Sequence, residues 1–147
     1  MNENPGASAG QPPKAAPPSP WLGWSGSGCI LVIDDDDPIR TVLARSVTKL
    51  GFTASQASDG QQAIAQFESD PGRFKLVLLD FKLPGMDGSE ILSRLRQIKP
   101  DVRVILMSGL SRQEALEQLP GQGIAGFLQK PFALGALFSE LRAALGS

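Results

Sequence analysis

The 147-residue chain contains no histidine, a single cysteine and no long apolar run. Without histidine, it cannot supply a His-based acid or base, a His-ligated zinc or a Ser-His-Asp triad. Any phosphohistidine that it meets must come from another protein or from another part of a longer one. The lone Cys29 excludes an internal disulfide, and its apolar neighbours favour a packed core thiol over a reactive one.

An excess of one charge is also lacking, since 14 Lys and Arg face 15 Asp and Glu. The basic residues are scattered, so we expect no nucleic-acid partner. No stretch reaches the roughly 18 apolar residues that a membrane span needs, and the N-terminus does not have the basic and apolar regions of a secretory signal. We therefore expect a cytoplasmic protein of one ordinary domain, with no membrane contact by this chain.

Composition divides the chain in two. Residues 1–28 are rich in Pro, Gly, Ala and Ser, and such a segment cannot bury enough apolar surface to offset its ordering entropy. We predict a disordered linker or tail there and a single domain over residues 29–147. From Cys29 onward, apolar stretches of strand length alternate with stretches of helical periodicity. The pattern predicts five helices and five strands, the strands at 29–33, 52–57, 75–80, 102–109 and 126–130.

Several of these strands are apolar throughout, which is typical of a parallel sheet covered by helices on both faces. For the first helix, Asp37 is the predicted N-cap, Pro38 the first helical residue and Gly51 the end. Ser89 is the predicted cap of the third helix, and the fourth helix is predicted around Glu114–Leu119. Apolar residues at helical spacing are Ile39, Val42, Leu43, Val47 and Leu50 in the first helix, and Leu134, Leu137, Phe138, Leu141 and Leu145 in the last.

Polar residues follow four of the predicted strands. They are Asp34 and Asp35 after the first strand, Asp80 at the end of the third, Ser108 after the fourth and Lys130 after the fifth. In open parallel sheets, ligands bind beyond the carboxyl ends of the strands, so these side chains should converge. Three carboxylates favour a hard divalent cation such as Mg²⁺. A lysine and a hydroxyl on the opposite rim would suit a phosphoryl group.

Four motifs, in this order, resemble those of the receiver domain of two-component response regulators. They are ILVIDDDDPIR, LVLLDFKLPGMDG, VILMSG and GFLQKPF, and the resemblance covers about residues 29–145. Each motif alone is modest, but the four together are very specific. The resemblance implies a flavodoxin-like α/β fold, a (βα)5 doubly wound parallel sheet with strand order 2-1-3-4-5. It also implies phosphoryl transfer from a histidine kinase or a histidine phosphotransfer protein.

The same resemblance implies the roles of the central residues. Asp80 matches the phosphoacceptor, which would attack a phosphohistidine in line and form an acyl phosphate. Asp34 and Asp35, with Asp80 and the main-chain carbonyl of Lys82, match the ligands of Mg²⁺ (or Mn²⁺). Lys130 matches the lysine that pairs with the phosphoryl group. The dication and this lysine should together keep the pKa of Asp80 low despite its acidic neighbours.

Further residues around the pocket are implied in the same way. They are the switch hydroxyl Ser108, the reporter aromatic Phe127, the pocket-rim residues Lys82, Gly109 and Leu110, and Pro131, where the family usually has a cis peptide bond. We expect Lys82 and Leu110 to control how easily water reaches the acyl phosphate. Ala133 stands where many receivers have a capping Ser or Thr, so a weaker cap is expected for the last helix.

Each of these residues also has a structural interpretation. Asp34 and Asp35 could favour a helix N-terminus through its dipole, and a strand-end Ser108 could be an ordinary turn residue. An aromatic within a strand, such as Phe127, is most often part of the core. The complete set of motifs favours the functional interpretation.

A second function from the same residues is a haloacid-dehalogenase-like phosphatase, with Asp34 as nucleophile and Asp36 as general acid. Ser108 and Lys130 follow in the required order. That family needs a further acidic motif after the lysine, and only Glu140 is found there. A third possibility, a pseudo-receiver that acts purely as a binding module, predicts the loss of a site residue, and none is lost.

The mode of output is expected to be protein contact, because the chain ends about one helix after Lys130. Family members commonly use the face formed by residues 111–119, 126–129 and 134–145. A phosphorelay or a phosphate sink is equally compatible with the sequence, as is an origin as a stand-alone regulator or as the C-terminal receiver of a hybrid sensor kinase. In each case we expect a signalling phosphoacceptor and not an enzyme, although it promotes its own phosphorylation and dephosphorylation.

Overall fold

The computed structural model describes residues 26–119, 121 and 123–145. The strands in this part of the chain are β1 (Cys29–Ile33), β2 (Thr53–Ala57), β3 (Phe74–Asp80), β4 (Val104–Ser108) and β5 (Gly126–Gln129). The α-helices are α1 (Asp37–Lys49), α2 (Gly60–Ser69), α3 (Gly88–Ile98), α4 (Arg112–Glu117) and α5 (Leu134–Leu145), and a 3-10 turn spans Pro71–Arg73. The tail predicted over residues 1–28 lies outside the described residues except for 26–28. There Gly26 N donates to Leu50 O at 2.8 Å.

The five strands form one parallel sheet in the order β2-β1-β3-β4-β5. This is the predicted flavodoxin-like order 2-1-3-4-5, which is confirmed. β1 lies between β2 and β3 and every one of its residues is buried, which explains why it is continuously apolar. Because all strands run the same way, the residues that follow Ile33, Leu79 and Met107 meet at one edge of the sheet.

Hydrophobic clusters cover both faces of the sheet. Alternate residues of β1 enter different clusters, with Leu31 in one and Ile30 in the other, as the two-residue period of a strand requires. The first cluster lies under α2, α3 and α4, and the second under α1 and α5. No helix in the described ranges combines the length and the apolar character that crossing a membrane would need.

The first helix begins one residue away from its predicted cap. Asp36, and not Asp37, is the N-cap of α1, since its side chain accepts a hydrogen bond from Ile39 N at 3.0 Å. A cap has an extended backbone and bonds an N–H three residues on, and Asp36 meets both conditions. Gly51, with φ +103°, follows the helix as predicted and takes the left-handed conformation common after helix ends.

The third and fourth helices also differ from the sequence prediction at their starts. Asp87, and not Ser89, caps α3 by accepting from Glu90 N at 2.9 Å. The fourth helix, predicted around residues 114–119, begins two residues earlier, because Ser111 and Glu114 form a reciprocal capping box.

The apolar stripes of α1 and α5 are only partly buried. Leu43 and Leu137 belong to the core, but Ile39 is 37%, Val42 49% and Leu134 44% exposed. These three side chains come from the ends of α1 and α5 that lie nearest Lys130, and they line a common groove. Helical periodicity therefore identified the apolar residues correctly but not which of them the fold covers.

Side chains from two helices bind the backbone of the two outermost strands. On β2, Gln66 Nε2 of α2 donates to Gln56 O at 2.7 Å. On β5, Glu140 of α5 accepts from Phe127 N at 2.8 Å. A Cβ on Gly126 would lie 2.5 Å from the same Glu140 oxygen, so glycine at the start of β5 leaves room for this contact.

Candidate functional site

Buried polar side chains concentrate at the carboxyl edge of the sheet. Among the described residues, four polar or charged side chains are buried, and three of them end strands here: Asp34 (0% exposed), Asp80 (6%) and Ser108 (3%). Burying a charge is costly unless partners compensate for it. Such a concentration therefore indicates a site, and its contacts show how the charges are balanced.

Lys130 joins the two buried carboxylates. Its Nζ lies 2.9 Å from Asp34 Oδ2 and 3.2 Å from Asp80 Oδ2. The other oxygen of Asp34 accepts from Asp36 N at 2.9 Å. Both oxygens of the fully buried Asp34 are thus occupied, whereas Asp35 next to it is exposed. Four adjacent aspartates therefore occupy different environments, and Asp36 and Asp37 are exposed at the start of α1.

The electrostatic balance makes Asp80 easier to protonate than an ordinary aspartate. Burial and then repulsion by the Asp34 carboxylate raise the pKa of Asp80 to about 6, although Lys130 and the Lys82 N–H act in the opposite direction. Burial also lowers the pKa of Lys130, but its hydrogen bond to Asp34 and the charges of Asp80 and Asp34 outweigh this and raise it. The lysine alone does not keep the pKa of Asp80 low, so the predicted low value depends on a bound cation.

The three carboxylates fit a divalent cation. One oxygen from each of Asp34, Asp35 and Asp80 lies within 4.8 Å of the others. Hard ions such as Mg²⁺ prefer such oxygen donors and are commonly held by few carboxylates plus waters. The backbone of Lys82 lies beside them, since its N–H is 3.4 Å from Asp80 Oδ1. The predicted metal ligands are thus close together.

The residues after β4 leave open space near the end of β3. Ser108 Oγ accepts from Leu110 N at 3.0 Å, so the hydroxyl is held within its own loop. Apart from its two chain neighbours, no described residue has an atom within 4 Å of a Cβ placed on Gly109, which is exposed. Leu110 is half-buried and packs against the first core cluster. A small anionic group could therefore approach from this side.

The LPGMDG loop folds back on the end of β3 and needs its glycines. Gly85 has φ +82°, a conformation that side chains rarely adopt. Gly88 N donates to Phe81 O at 2.9 Å, and a Cβ on Gly88 would lie 2.8 Å from that oxygen. The loop thus turns directly after Asp80 and returns to Phe81, the residue next to it.

The segment after β5 holds the lysine. Lys130 N donates to Ser108 O at 2.7 Å, and the Lys130–Pro131 peptide bond is cis. Phe127, the predicted reporter aromatic, is half-buried and packs against the first core cluster. Its switching role stays a prediction.

Sequence analysis missed one contributor to this edge, Arg40. Its Nη1 donates to Asp34 O at 2.7 Å, its Nε donates to Gln56 Oε1 at 3.2 Å, and its Nη2 pairs with the Asp37 carboxylate. The spacing of Asp37 and Arg40 on a helix was the available signal, since residues three apart are neighbours. The contacts to Asp34 and Gln56 cross between elements and have no sequence signature.

Surfaces of opposite character flank the site. An apolar groove of about 550 Å³ lies on the α1 side, and a polar pocket of about 440 Å³ lies beside the LPGMDG loop. The apolar groove is lined by Pro38, Ile39, Val42, Leu43, Lys130, Pro131, Phe132 and Leu134. The polar pocket is lined by Asp35, Phe81, Lys82, Leu83, Pro84, Asp87, Ser89 and Gln118. Each surface shares a residue with the charged cluster, Lys130 in the groove and Asp35 in the pocket.

Known proteins share both the sequence and the architecture. Residues 30–142 match the family model described as response regulator receiver domain. The chain belongs to this family. This receiver domain is 33% identical over 118 residues to the sensor kinase CckA of Brucella abortus (strain 2308), a match covering 80% of this chain and 12% of that protein. It is 38% identical over 103 residues to sporulation initiation phosphotransferase F of Bacillus subtilis (strain 168), a match covering 70% of this chain and 82% of that protein.

A solved structure supports the same assignment. The receiver domain of the hybrid histidine kinase CckA has a TM-score of 0.69 to this chain at 28% identity, with 81% of this chain and 100% of that one covered. The chain spans only 12% and 44% of the first curated relatives that it matches. The family assignment fits a phosphoacceptor role in two-component signalling.

The geometry also disfavours the phosphatase alternative. Asp34, the nucleophile in that hypothesis, has no exposed surface, whereas Asp80 is 6% exposed. Asp36, the general acid in that hypothesis, caps α1. Glu140, the remaining acidic candidate, binds the backbone of β5.

Proposed function

We propose that this receiver domain takes a phosphoryl group onto Asp80 from the phosphohistidine of a histidine kinase or a histidine phosphotransfer protein. The observation that carries this proposal is the placement of Asp80. It lies at the end of β3, 3.2 Å from the Lys130 ammonium and within the cluster of carboxylate oxygens formed with Asp34 and Asp35. The arrangement brings together a nucleophile, carboxylates able to hold a cation, and an ammonium group for phosphoryl oxygens.

In the proposed reaction, one carboxylate oxygen of ionised Asp80 attacks the phosphorus in line with the scissile bond. The new bond joins this oxygen to phosphorus, and the phosphorus–nitrogen bond breaks with its electron pair going to the donor imidazole. The Lys130 ammonium transfers its hydrogen bonding from the carboxylates to the phosphoryl oxygens. The Ser108 hydroxyl turns from its contact with Leu110 N and donates to the phosphoryl group.

We propose that Asp34, Asp35 and Asp80, with the main-chain carbonyl of Lys82, hold Mg²⁺ (or Mn²⁺) during this reaction. When bound, the ion offsets the negative charge that collects on the phosphoryl oxygens. Without a cation, Asp80 with a pKa of about 6 is partly protonated near neutral pH and is a weaker nucleophile. The site thus couples cation binding to activation of the acceptor.

The apolar groove is the proposed seat of the phosphodonor. Lys130 lines both this groove and the acceptor site, so a protein that brings a phosphohistidine to Asp80 covers the groove as well. Exposed Ile39, Val42 and Leu134 offer apolar area that a helix of the donor can bury. A small acyl phosphate needs none of this area.

Output is proposed through a second face, formed by residues 111–119, 126–129 and 134–145. The described part of this face contains Phe127, the proposed reporter, and Glu140, which holds its N–H. The domain would act there as a signalling phosphoacceptor through protein contacts, and not as an enzyme on a separate substrate. The cytoplasmic location and the domain boundary at residue 29 stay predictions from the sequence.

The direct test is incubation with Mg²⁺ and a small acyl phosphate, followed by intact mass analysis. We expect one phosphoryl adduct on the wild-type chain, none in EDTA and none on Asp80→Asn. Asp101→Asn is the matched control, because Asp101 is an exposed aspartate before β4, at the other end of that strand. An adduct that persists in Asp80→Asn would contradict the assignment of the acceptor.

A further inference from the structure

The guanidinium of Arg40 gathers contacts from three parts of the fold. It donates to the main-chain carbonyl of Asp34 at 2.7 Å, to the side chain of Gln56 on β2 at 3.2 Å, and to the carboxylate of Asp37 in the first turn of α1. Its side chain is only 15% exposed. A planar group with donors in a fixed fork can hold three acceptors at once, which a lysine ammonium does less well.

These contacts matter because Asp34 is held at every polar atom. Its N–H donates to Ala57 O at 3.2 Å, its Oδ1 accepts from Asp36 N, and its Oδ2 accepts from Lys130. In the proposed reaction the Lys130 contact is lost to the phosphoryl group. The Arg40 bond to the carbonyl is then the side-chain contact that still fixes Asp34.

We propose that Arg40 is a positioning residue for the cation site. By tying the carbonyl of Asp34 to α1 and β2, it keeps the loop after β1 in the shape that places Asp34 and Asp35 beside Asp80. Mg²⁺ demands nearly ideal octahedral geometry and tolerates displaced ligands poorly. Residues that orient ligands affect metal affinity strongly without touching the ion. This inference rests on the proposed function, since it assumes that these carboxylates bind the ion.

Charge and positioning predict opposite results when Arg40 is removed. A guanidinium close to the site repels a dication, so loss of its charge alone would strengthen cation binding. Loss of positioning would weaken it. The direction of the change in affinity therefore separates the two effects, and a merely structural residue would change the melting temperature without changing this affinity.

The experiment is titration of the full chain with Mg²⁺ by calorimetry, repeated with Mn²⁺ by electron paramagnetic resonance. We expect Arg40→Ala to weaken the affinity about tenfold and Arg40→Lys, which keeps the charge but not the fork, about threefold. Arg45→Ala, which removes a positive charge from an exposed position of the same helix, should change it less than about twofold. Circular dichroism at the titration temperature verifies that each variant is folded.

Equal or tighter binding by Arg40→Ala would overturn the inference, and so would wild-type affinity in Arg40→Lys. If Arg40→Ala is unfolded, the Arg40→Lys result decides alone. A wild-type chain that binds neither Mg²⁺ nor Mn²⁺ would overturn the proposed cation site together with this inference. A wild-type chain that binds the ions, with variants that bind equally well, would overturn only the role of Arg40.

Discussion

On the α1 side of the acceptor, the surface is an apolar groove around exposed Ile39, Val42 and Leu134, whereas beside the LPGMDG loop it is a polar pocket lined by residues such as Asp35 and Lys82. Both surfaces adjoin the same charged cluster. Burial of apolar surface removes it from water and so stabilises a protein contact. A polar rim instead keeps water and ions close to the reacting group. The difference suggests that donor recognition and the lifetime of the phosphorylated state depend on separate residues.

The largest effect is expected from a charge placed in the apolar groove, which tests whether the groove recognises the phosphodonor. We expect Ile39→Asp or Val42→Asp to slow phosphoryl transfer from a histidine-phosphorylated donor protein by about tenfold to thirtyfold, because an apolar contact is replaced by a desolvated carboxylate. Phosphorylation by a small acyl phosphate should change by less than about twofold, since that donor does not cover the groove. Transfer rates measured with both donors give the comparison.

The control for these variants is Gln61→Asp, which adds the same charge at an exposed position of α2, away from the groove. It should leave both rates unchanged. Equal slowing of both donors by Ile39→Asp would point to damage to the site and not to donor docking.

The role of the pocket-rim residues in the lifetime of the acyl phosphate is tested by truncating their side chains. We expect Lys82→Ala to speed hydrolysis of the acyl phosphate about threefold to fivefold, because water reaches the phosphoryl group more easily. Leu110→Ala should act in the same direction, and neither variant should affect docking of the donor protein. Decay of the phosphorylated chain, followed by intact mass, measures this rate.

Glu117→Ala, at an exposed position of α4, is the matched control for the rim variants and should decay at the wild-type rate. Dephosphorylation unchanged by both rim substitutions would count against a role for this side in the lifetime of the phosphorylated state.

The smallest expected effect is on thermal stability and concerns Asp80, which lies between the apolar groove and the polar pocket. Its pKa of about 6 in the folded chain lies above the ordinary value of 3.8, so the folded state binds this proton more tightly. The resulting stabilisation is fully present below about pH 4 and is lost as the pH rises through about 6. In EDTA at pH 7, Asp80→Asn should therefore melt about 2–4 °C above the wild-type chain. Thermal melts from pH 4 to 8 measure this, and a gap that stays constant with pH would contradict the mechanism.

Much of the fold could be predicted from the sequence. Continuous apolar stretches such as the one at 29–33 are long enough for strands and too short for helices, and the structure places all five strands within a few residues of the prediction. Helix starts were less well predicted. In a run of aspartates, Asp36 and Asp37 are chemically equal as caps, and only the backbone conformation selects Asp36.

The sequence predicted which side chains meet at the carboxyl edge of the sheet, but not the surfaces and contacts around them. The order of the motifs brought Asp34, Asp80, Ser108 and Lys130 to one edge, because parallel strands end together. The exposure of Ile39 and Leu134 depends instead on how α1 and α5 pack side by side on the same face of the sheet. Helical periodicity does not encode this packing. The Arg40 contact with Gln56 joins residues 16 positions apart on different elements, so it too was visible only in the structure.

The hydrogen bond from Phe127 of β5 to the carboxylate of Glu140 has a consequence for behaviour at high concentration. An outermost strand normally offers unpaired backbone groups to which a strand from another molecule can add, and such addition leads to aggregation. Here the Phe127 N–H is already bonded to a charged side chain, for which Gly126 leaves room. An incoming strand would have to displace that carboxylate and bring its own backbone close to a negative charge. The addition of a further strand to this edge of the sheet, beside the proposed output face, is therefore disfavoured at Phe127.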